Sequence, residues 1–348
     1  MPVSVVVGGQ FGSEGKGKTT LELVRRAPER HIIVVRVGGS NSGHTGYSKN
    51  GKKYALRQLP AGCIDKNVDV VFPAGSYIDV DILLDEIEIL EYPADRIFIS
   101  PYARVITKEH KAWETGSKLG ASIGSTGSGV GAAVMASVAR GAKNFPLISV
   151  DAQHHESLSA FIRDTSEYLR RWLSKGSRII IEGSQGFGLS LLDGGYWPKA
   201  TSRSTTAAAA LSEASLSPLD VDQVVMVIRS YPIRVAGDSG PLFGETSWKK
   251  IAENQGVATD LREYTTVTKK LRRVGVFDFN QVRLAINTNK PNVLVMNHLD
   301  YIGDQSEFRS KDSDLSKFIS SVQNGLDQNI DYFGFSPLNI LSSKVAFA

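Results

Sequence analysis

The chain has 348 residues, 41% of them apolar and 22% charged, with a formal net charge of +4. This is the make-up of a globular protein that can bury a sizeable core, and it excludes a disordered or fibrous chain. The mild positive charge suits small anionic ligands as well as nucleic acid.

The lone cysteine, Cys63, excludes an internal disulfide and reads as a small buried hydrophobe. No apolar run approaches the ~20 residues that a membrane helix needs. The start of the chain enters a strand with no signal peptide ahead of it, so a cytoplasmic protein is expected.

Residues 5–7 (VVV) are a first strand and residues 31–37 (HIIVVRV) a second. Residues 68–72 and 96–100 are short strands. Between them, residues 79–91 place Leu83, Leu84, Ile87 and Leu90 on one helical face and acids on the other. Residues 178–182 (RIIIE), 223–228 (QVVMVI) and 292–296 (NVLVM) complete the set. Continuous apolar strands separated by helices predict an α/β fold: a mainly parallel central sheet with helices on both faces. The first turn makes it P-loop-like. The expected organisation is a single domain over 1–348, with a helical insertion around 103–140 and further loops.

The first strand leads into GGQFGSEGKGKTT, and residues 12–19 fit G-x-x-x-x-G-K-[ST], with Gly12, Gly17, Lys18 and Thr19 at the fixed positions. Glycines let backbone N–H groups converge on a phosphate, the helix start adds partial positive charge, and a lysine neutralises the terminal group. The second strand ends in VGGSNSGHTG, a polar loop at the carboxyl edge where such sheets bind ligands. Its His44 can donate a hydrogen bond and titrate near neutrality.

Residues 122–133 (SIGSTGSGVGAA) form a second glycine-rich loop. Residues 181–190 (IEGSQGFGLS) run into a glycine-flanked Gln185, whose amide can donate and accept at a purine edge. The alanines at 207–210 read as a close-packed helix. Residues 265–274 (TTVTKKLRRV) are cationic but carry no interleaved aromatics, which argues against a nucleic-acid surface. Arg272 in this run offers a bidentate fork for a carboxylate. The last strand gives MNHLD, where the Asp300 carboxylate can accept from guanine N1–H and N2–H. His110, His154 and His155 have no acids or cysteines patterned around them and read as surface or helix-cap residues.

GGQFGSEGKGK resembles the GxQWGDEGKGK signature of the adenylosuccinate synthetases, and further motifs follow in order across roughly residues 3–340. That family couples nucleoside triphosphate hydrolysis to condensation of aspartate with the purine 6-position, through a 6-phosphoryl intermediate, with Mg²⁺. The resemblance implies a triphosphate site of Gly12, Ser13, Glu14, Gly15, Lys16, Gly17, Lys18, Thr19, Asn297, Asp300, Ser336 and Pro337. VGGSNSGHTG resembles GGxNAGHT. On that match His44 bonds the purine 6-oxygen and its incoming phosphate, Asn41 contacts the nucleotide, and the Gly43 carbonyl, with Ser13, ligates Mg²⁺.

The second loop resembles TTGRGIGPA and implies that Ser125, Thr126 and Gly127 hold the monophosphate, with Ser128 in the place of an arginine. Arg140 matches the arginine that reaches this phosphate across a homodimer interface. Gln185 matches FEGAQG, Thr201 is a second phosphate contact, and Arg234 lies near the ribose. Val267, Thr268 and Arg272 match the aspartate clamp TTGRxRRxGW, with Lys269 and Lys270 replacing a glycine and an arginine. His298 replaces the lysine that packs on the triphosphate base. The catalytic set implied is Ser13, Lys16, His44 and Gln185.

Ser13 stands where the family has the aspartate that removes the purine N1 proton. The same serine resembles the phage-type branch, the N6-succino-2-amino-2'-deoxyadenylate synthases, which act on dGMP rather than IMP. Guanine carries a 2-amino group beside N1, and a carboxylate fixed there would crowd it; a serine leaves room and can donate and accept. The expected substrates are dGMP, L-aspartate and ATP, with dATP or GTP as alternative donors. A phage-encoded enzyme would work in the host cytoplasm. The alternatives are an ordinary synthetase using IMP and GTP, or a silent nucleotide-binding regulator, which would have no need of an aspartate clamp.

Overall fold

The computed structural model describes residues 2–255, 261–265, 269–310 and 312–346. Its centre is a nine-stranded sheet. The strands are β1 (Val3–Gly8), β2 (Ile32–Arg36), β3 (Asp69–Phe72), β4 (Ile97–Ile99), β5 (Arg178–Glu182), β6 (Val221–Arg229), β7 (Val293–Asn297), β8 (Tyr332–Phe333) and β9 (Leu341–Ser342). Their order is β9-β8-β7-β6-β1-β5-β2-β3-β4, and every pairing is parallel except β8 with β9.

Side chains alternate across each strand, and both faces are apolar. Val3, Val5 and Val7 join one core with Ile179, Ile181, Met226 and Met296. Val6 joins the other with Val34, Ile180, Val225 and Val295. These layers account for the unbroken β-branched runs in the sequence.

The helix expected at 79–91 is α2 (Val80–Leu90), following α1 (Lys16–Arg26). Three helices occupy the region around 103–140: α3 (Lys108–Gly116), α4 (Leu119–Ile123) and α5 (Val130–Ala139). His110 is a cap residue, its ring paired with the Thr107 N–H in a capping box. Cys63 is buried, and the alanine run opens a helix, Ala207–Glu213. No helix of the described residues is long and apolar enough to cross a membrane.

The segment after the second strand differs from the expected polar loop. His44 opens a short strand, His44–Tyr47, that pairs antiparallel with Lys53–Leu56. This hairpin packs on α1 because Gly17 has no side chain: a Cβ there would lie 2.8 Å from the His44 Cβ.

Candidate active site

Four of the central strands end at their carboxyl edge in a buried polar residue. Arg36, Glu182, Arg229 and Asn297 close β2, β5, β6 and β7, and all are at most 1% exposed. Above them opens a cavity of about 960 Å³. Open α/β sheets bind ligands at this edge.

The first glycine-rich loop turns through left-handed conformations at Gly12 (φ 93°), Ser13 (φ 57°) and Gly15 (φ 94°) before α1 begins. Glu14 lies under it, fully buried. Its carboxylate accepts from the N–H groups of Gln10 (3.2 Å) and Gly12 (2.7 Å) and from Lys16 Nζ (2.8 Å). The N–H groups of Lys16, Gly17 and Lys18 have no acceptor among the described residues, and all three residues line the cavity. Three orphan donors at a helix start form an anion receptor. Lys18 Nζ donates to the Ser336 carbonyl at 2.8 Å. Burial pulls its ammonium down to about 8, with Asp300 and Glu22 opposing.

His44 is 6% exposed, and its Nδ1 pairs with Glu182 at 2.5 Å. Glu182 also accepts from the N–H groups of Ala61 (3.1 Å) and Gly62 (3.3 Å). Burial works against its charge, but His44 and Arg36 hold its carboxyl below the ordinary range. Burial and Arg36 push the His44 imidazole down to about 4. Its Nδ1 is occupied by Glu182 and by Arg36 Nη1 at 3.1 Å, so Nε2, buried and without a partner, is the atom left for a ligand.

Ser13 has both oxygens engaged. Its hydroxyl accepts from Arg272 Nη1 at 2.8 Å and its carbonyl from Arg229 Nη1 at 3.0 Å. Gln185 also takes a positive φ, 60°, and its amide has no partner among the described residues. Non-glycine residues held this way cluster at functional sites.

The cavity gathers Gly12, Ser13, Gly15, Lys16, Gly17, Lys18, Asn41, Gly43, His44, Ser125, Thr126, Gln185, Thr201, Arg234, Arg272, Asp300, Ser336 and Pro337. Other expected residues stand apart from its wall. Glu14 and Thr19 are fully buried beneath the loop, and the Asn297 amide holds the Glu14 carbonyl at 2.8 Å, which makes Asn297 a prop rather than a wall. Gly127 is half-buried and does not line the cavity.

Arg234 reaches the wall with both Nη groups engaged, while its Nε is buried without a partner. It donates to the Lys199 carbonyl at 2.8 Å and to the Ser239 carbonyl, and it lies over the Phe11 and Tyr196 rings. Arg140 is exposed at the end of α5, away from the cavity of this chain. Val267 and Thr268 lie outside the described residues.

The second loop is not a free phosphate cradle at its helix. Glu114, from α3, accepts from Gly129 N (2.9 Å), Gly131 N (2.7 Å) and Ala132 N (3.2 Å), filling the start of α5. Ser125 and Thr126 remain on the cavity wall, and Ser128 is bonded to Thr126 at 2.8 Å and to Arg57 at 3.3 Å. The bracing residues Arg36, Glu114, Glu182, Arg229 and Glu263 were not expected as site residues. Arg36, Glu182 and Arg229 gave a signal, as charges closing apolar strands; Glu114 and Glu263 gave none.

Residues 5–153 and 147–309 match the family described as adenylosuccinate synthetase. The chain belongs to the adenylosuccinate synthetase family. The enzymes of that name from Methanococcus aeolicus and Pyrococcus horikoshii are 34% and 36% identical, over 93% of this chain and 93% and 92% of theirs. The fold is also that of the fully ligated adenylosuccinate synthetase from Plasmodium falciparum (TM-score 0.84, 21% identity, 99% of this chain and 100% of that one). A second solved structure is the succinoaminodeoxyadenylate synthetase of cyanophage S-2L, bound to dGMP and dATP as an energy donor. It matches with TM-score 0.81 and 26% identity, over 99% of this chain and 98% of that one.

The protein is therefore a C–N bond-forming ligase. Adenylosuccinate synthetases use Mg²⁺. Among the described residues no group of three His, Cys, Asp or Glu side chains could hold a metal, so a cation here would take backbone and substrate oxygens. The Gly43 carbonyl at the cavity wall fits that chemistry. Ser13, as arranged, does not, because each of its oxygens faces a guanidinium.

Proposed function

We propose that this ligase joins L-aspartate to the 6-position of dGMP with ATP or dATP as phosphate donor, giving N6-succino-2-amino-2'-deoxyadenylate. The observation that carries the reading is Ser13: a short side chain on the cavity wall where the family has a carboxylate. The likeness to the cyanophage enzyme, bound to dGMP and dATP, supports it.

The chain's own residues supply positioning and charge. The N–H groups that start α1, with Lys16 and Lys18, receive the triphosphate. The N1 proton passes by way of the Ser13 hydroxyl to water or a phosphate oxygen, the purine 6-oxygen attacks the γ-phosphorus, and the diphosphate leaves. His44, its Nδ1 fixed by Glu182, donates from Nε2 to the transferring group as the imidazolium, the form that the bound phosphates favour. Gln185 meets the purine edge, and Ser125 and Thr126 meet the monophosphate. Arg272 holds an aspartate carboxylate while the amine displaces the 6-oxygen as phosphate. Mg²⁺, bound at the Gly43 carbonyl and the triphosphate, would neutralise charge on the transferring phosphoryl group. Two copies of the chain would pair so that Arg140 of each reaches the other's monophosphate.

A second reading, an ordinary synthetase acting on IMP, is favoured by the relatives of that name at 34% and 36% identity. Phosphate release with dGMP, GMP and IMP, each with aspartate and ATP, separates the two. The proposal expects dGMP to be turned over best; a strong preference for IMP overturns it.

A further inference from the structure

Glu263 lies where three parts of the cavity meet, and none of the roles described so far uses it. One of its oxygens accepts from Arg229 Nη2 and from the Tyr301 hydroxyl at 2.9 Å; the other accepts from Arg272 Nη1 at 3.1 Å and Arg229 Nη1 at 3.4 Å. The two arginines it holds are the two that grip Ser13, one at the carbonyl and one at the hydroxyl. Tyr301 belongs to the turn that carries Asp300. One carboxylate thus ties the purine loop, the cationic loop and the base-side turn together.

We propose that Glu263 is a positioning residue for the aspartate half-site: it fixes Arg272 against the Ser13 loop so that the free edge of the guanidinium faces the incoming carboxylate. The proposal rests on the reading of Arg272 as the aspartate clamp. Both side-chain hydrogen bonds of Arg272 use Nη1. Nε and Nη2 make none among the described residues, and this is the edge that forks a carboxylate. Arg272 lines the cavity.

Without an anchor a guanidinium of this length samples many rotamers, and each bond it then makes costs the entropy of fixing it. Glu263 removes that cost before aspartate arrives. It remains charged because Arg229, which is 0% exposed, holds it far below the ordinary carboxylate range against the effect of burial. The arrangement also links the two ends of the reaction, since whatever moves Ser13 moves the clamp.

The test is initial-rate kinetics of the full chain with aspartate varied, at saturating triphosphate and with whichever purine monophosphate the wild type turns over best. A result that favours IMP over dGMP refutes the proposed function but leaves this measurement intact. Glu263→Gln and Glu263→Asp should raise the KM for aspartate about tenfold or more, with kcat and the nucleotide KM values changed far less. Tyr301→Phe removes one contact and leaves both charges in place, so it should fold even where Glu263→Gln does not. It should raise the same KM two- to threefold.

Ser13→Ala and Glu263→Gln act through one arginine, so their combined effect on the aspartate KM should fall short of the product of the two. Glu245→Gln, which breaks the exposed Arg273 pair at 2.5 Å, is the control and should shift nothing. An unchanged aspartate KM in both Glu263→Asp and Tyr301→Phe overturns the proposal. So does a uniform rise in all three KM values, which would mark a merely structural role.

Discussion

The first glycine-rich loop and the second each fold around one buried carboxylate, and the source of that carboxylate separates them. Glu14 belongs to the loop it braces, and it takes two N–H groups that precede α1 together with Lys16 Nζ. Glu114 comes from a different helix and takes N–H groups at the start of α5 itself. The consequence is opposite in the two places. The first loop is satisfied from below and leaves the start of α1 open to an anion. In the second, the protein fills much of its own helix start with a carboxylate from another helix.

Breaking the receptor should cost most. Lys16→Ala removes the charge nearest the transferring group and should lower kcat about 10³-fold with the fold retained by circular dichroism. Glu14→Ala loosens the same loop without touching a ligand and should cost less, about 10²-fold in kcat/KM.

On the other side of the comparison, Glu114→Ala strands three N–H groups. It should lower stability by about 1–3 kcal/mol in denaturant melts while leaving the triphosphate KM unchanged. A triphosphate KM that moved with Glu114→Ala would show the two loops to be one unit.

The contrast also has a pH signature. Lys18 is charged below about 8 in the free enzyme and discharges as the pH rises through that value. A phosphate needs the charged form, so the triphosphate KM should be flat at lower pH and climb above it. Lys18→Arg, whose guanidinium stays charged, should flatten the climb. The smallest effect is expected at the base: Asp300→Asn supplies both a donor and an acceptor, so it should keep ATP within a few-fold and weaken GTP more.

The same contrast governs what could be read in the sequence. The seven central strands are apolar runs buried on both faces, so their composition alone marks them. The first loop is legible because its brace, its glycines and its lysines lie within a dozen residues. Glu114 and Glu263 gave no such signal, because their partners lie 11–18 and 9–38 residues away and a carboxylate in a helix or loop reads as a solvated surface. The hairpin that carries His44 was hidden for another reason. Its glycines and polar residues have weak strand propensity, and packing against α1 at Gly17 decides its shape.

The cavity and its edge follow from the fold; in the proposed function the purine that fills it turns on one side chain. A crystal structure of the enzyme with dGMP bound tests this most directly. The account predicts guanine seated with its N1 and 2-amino edge against Ser13, and its 6-oxygen toward His44 Nε2. Guanine excluded from that wall, or bound with the 2-amino group turned away from Ser13, would contradict it.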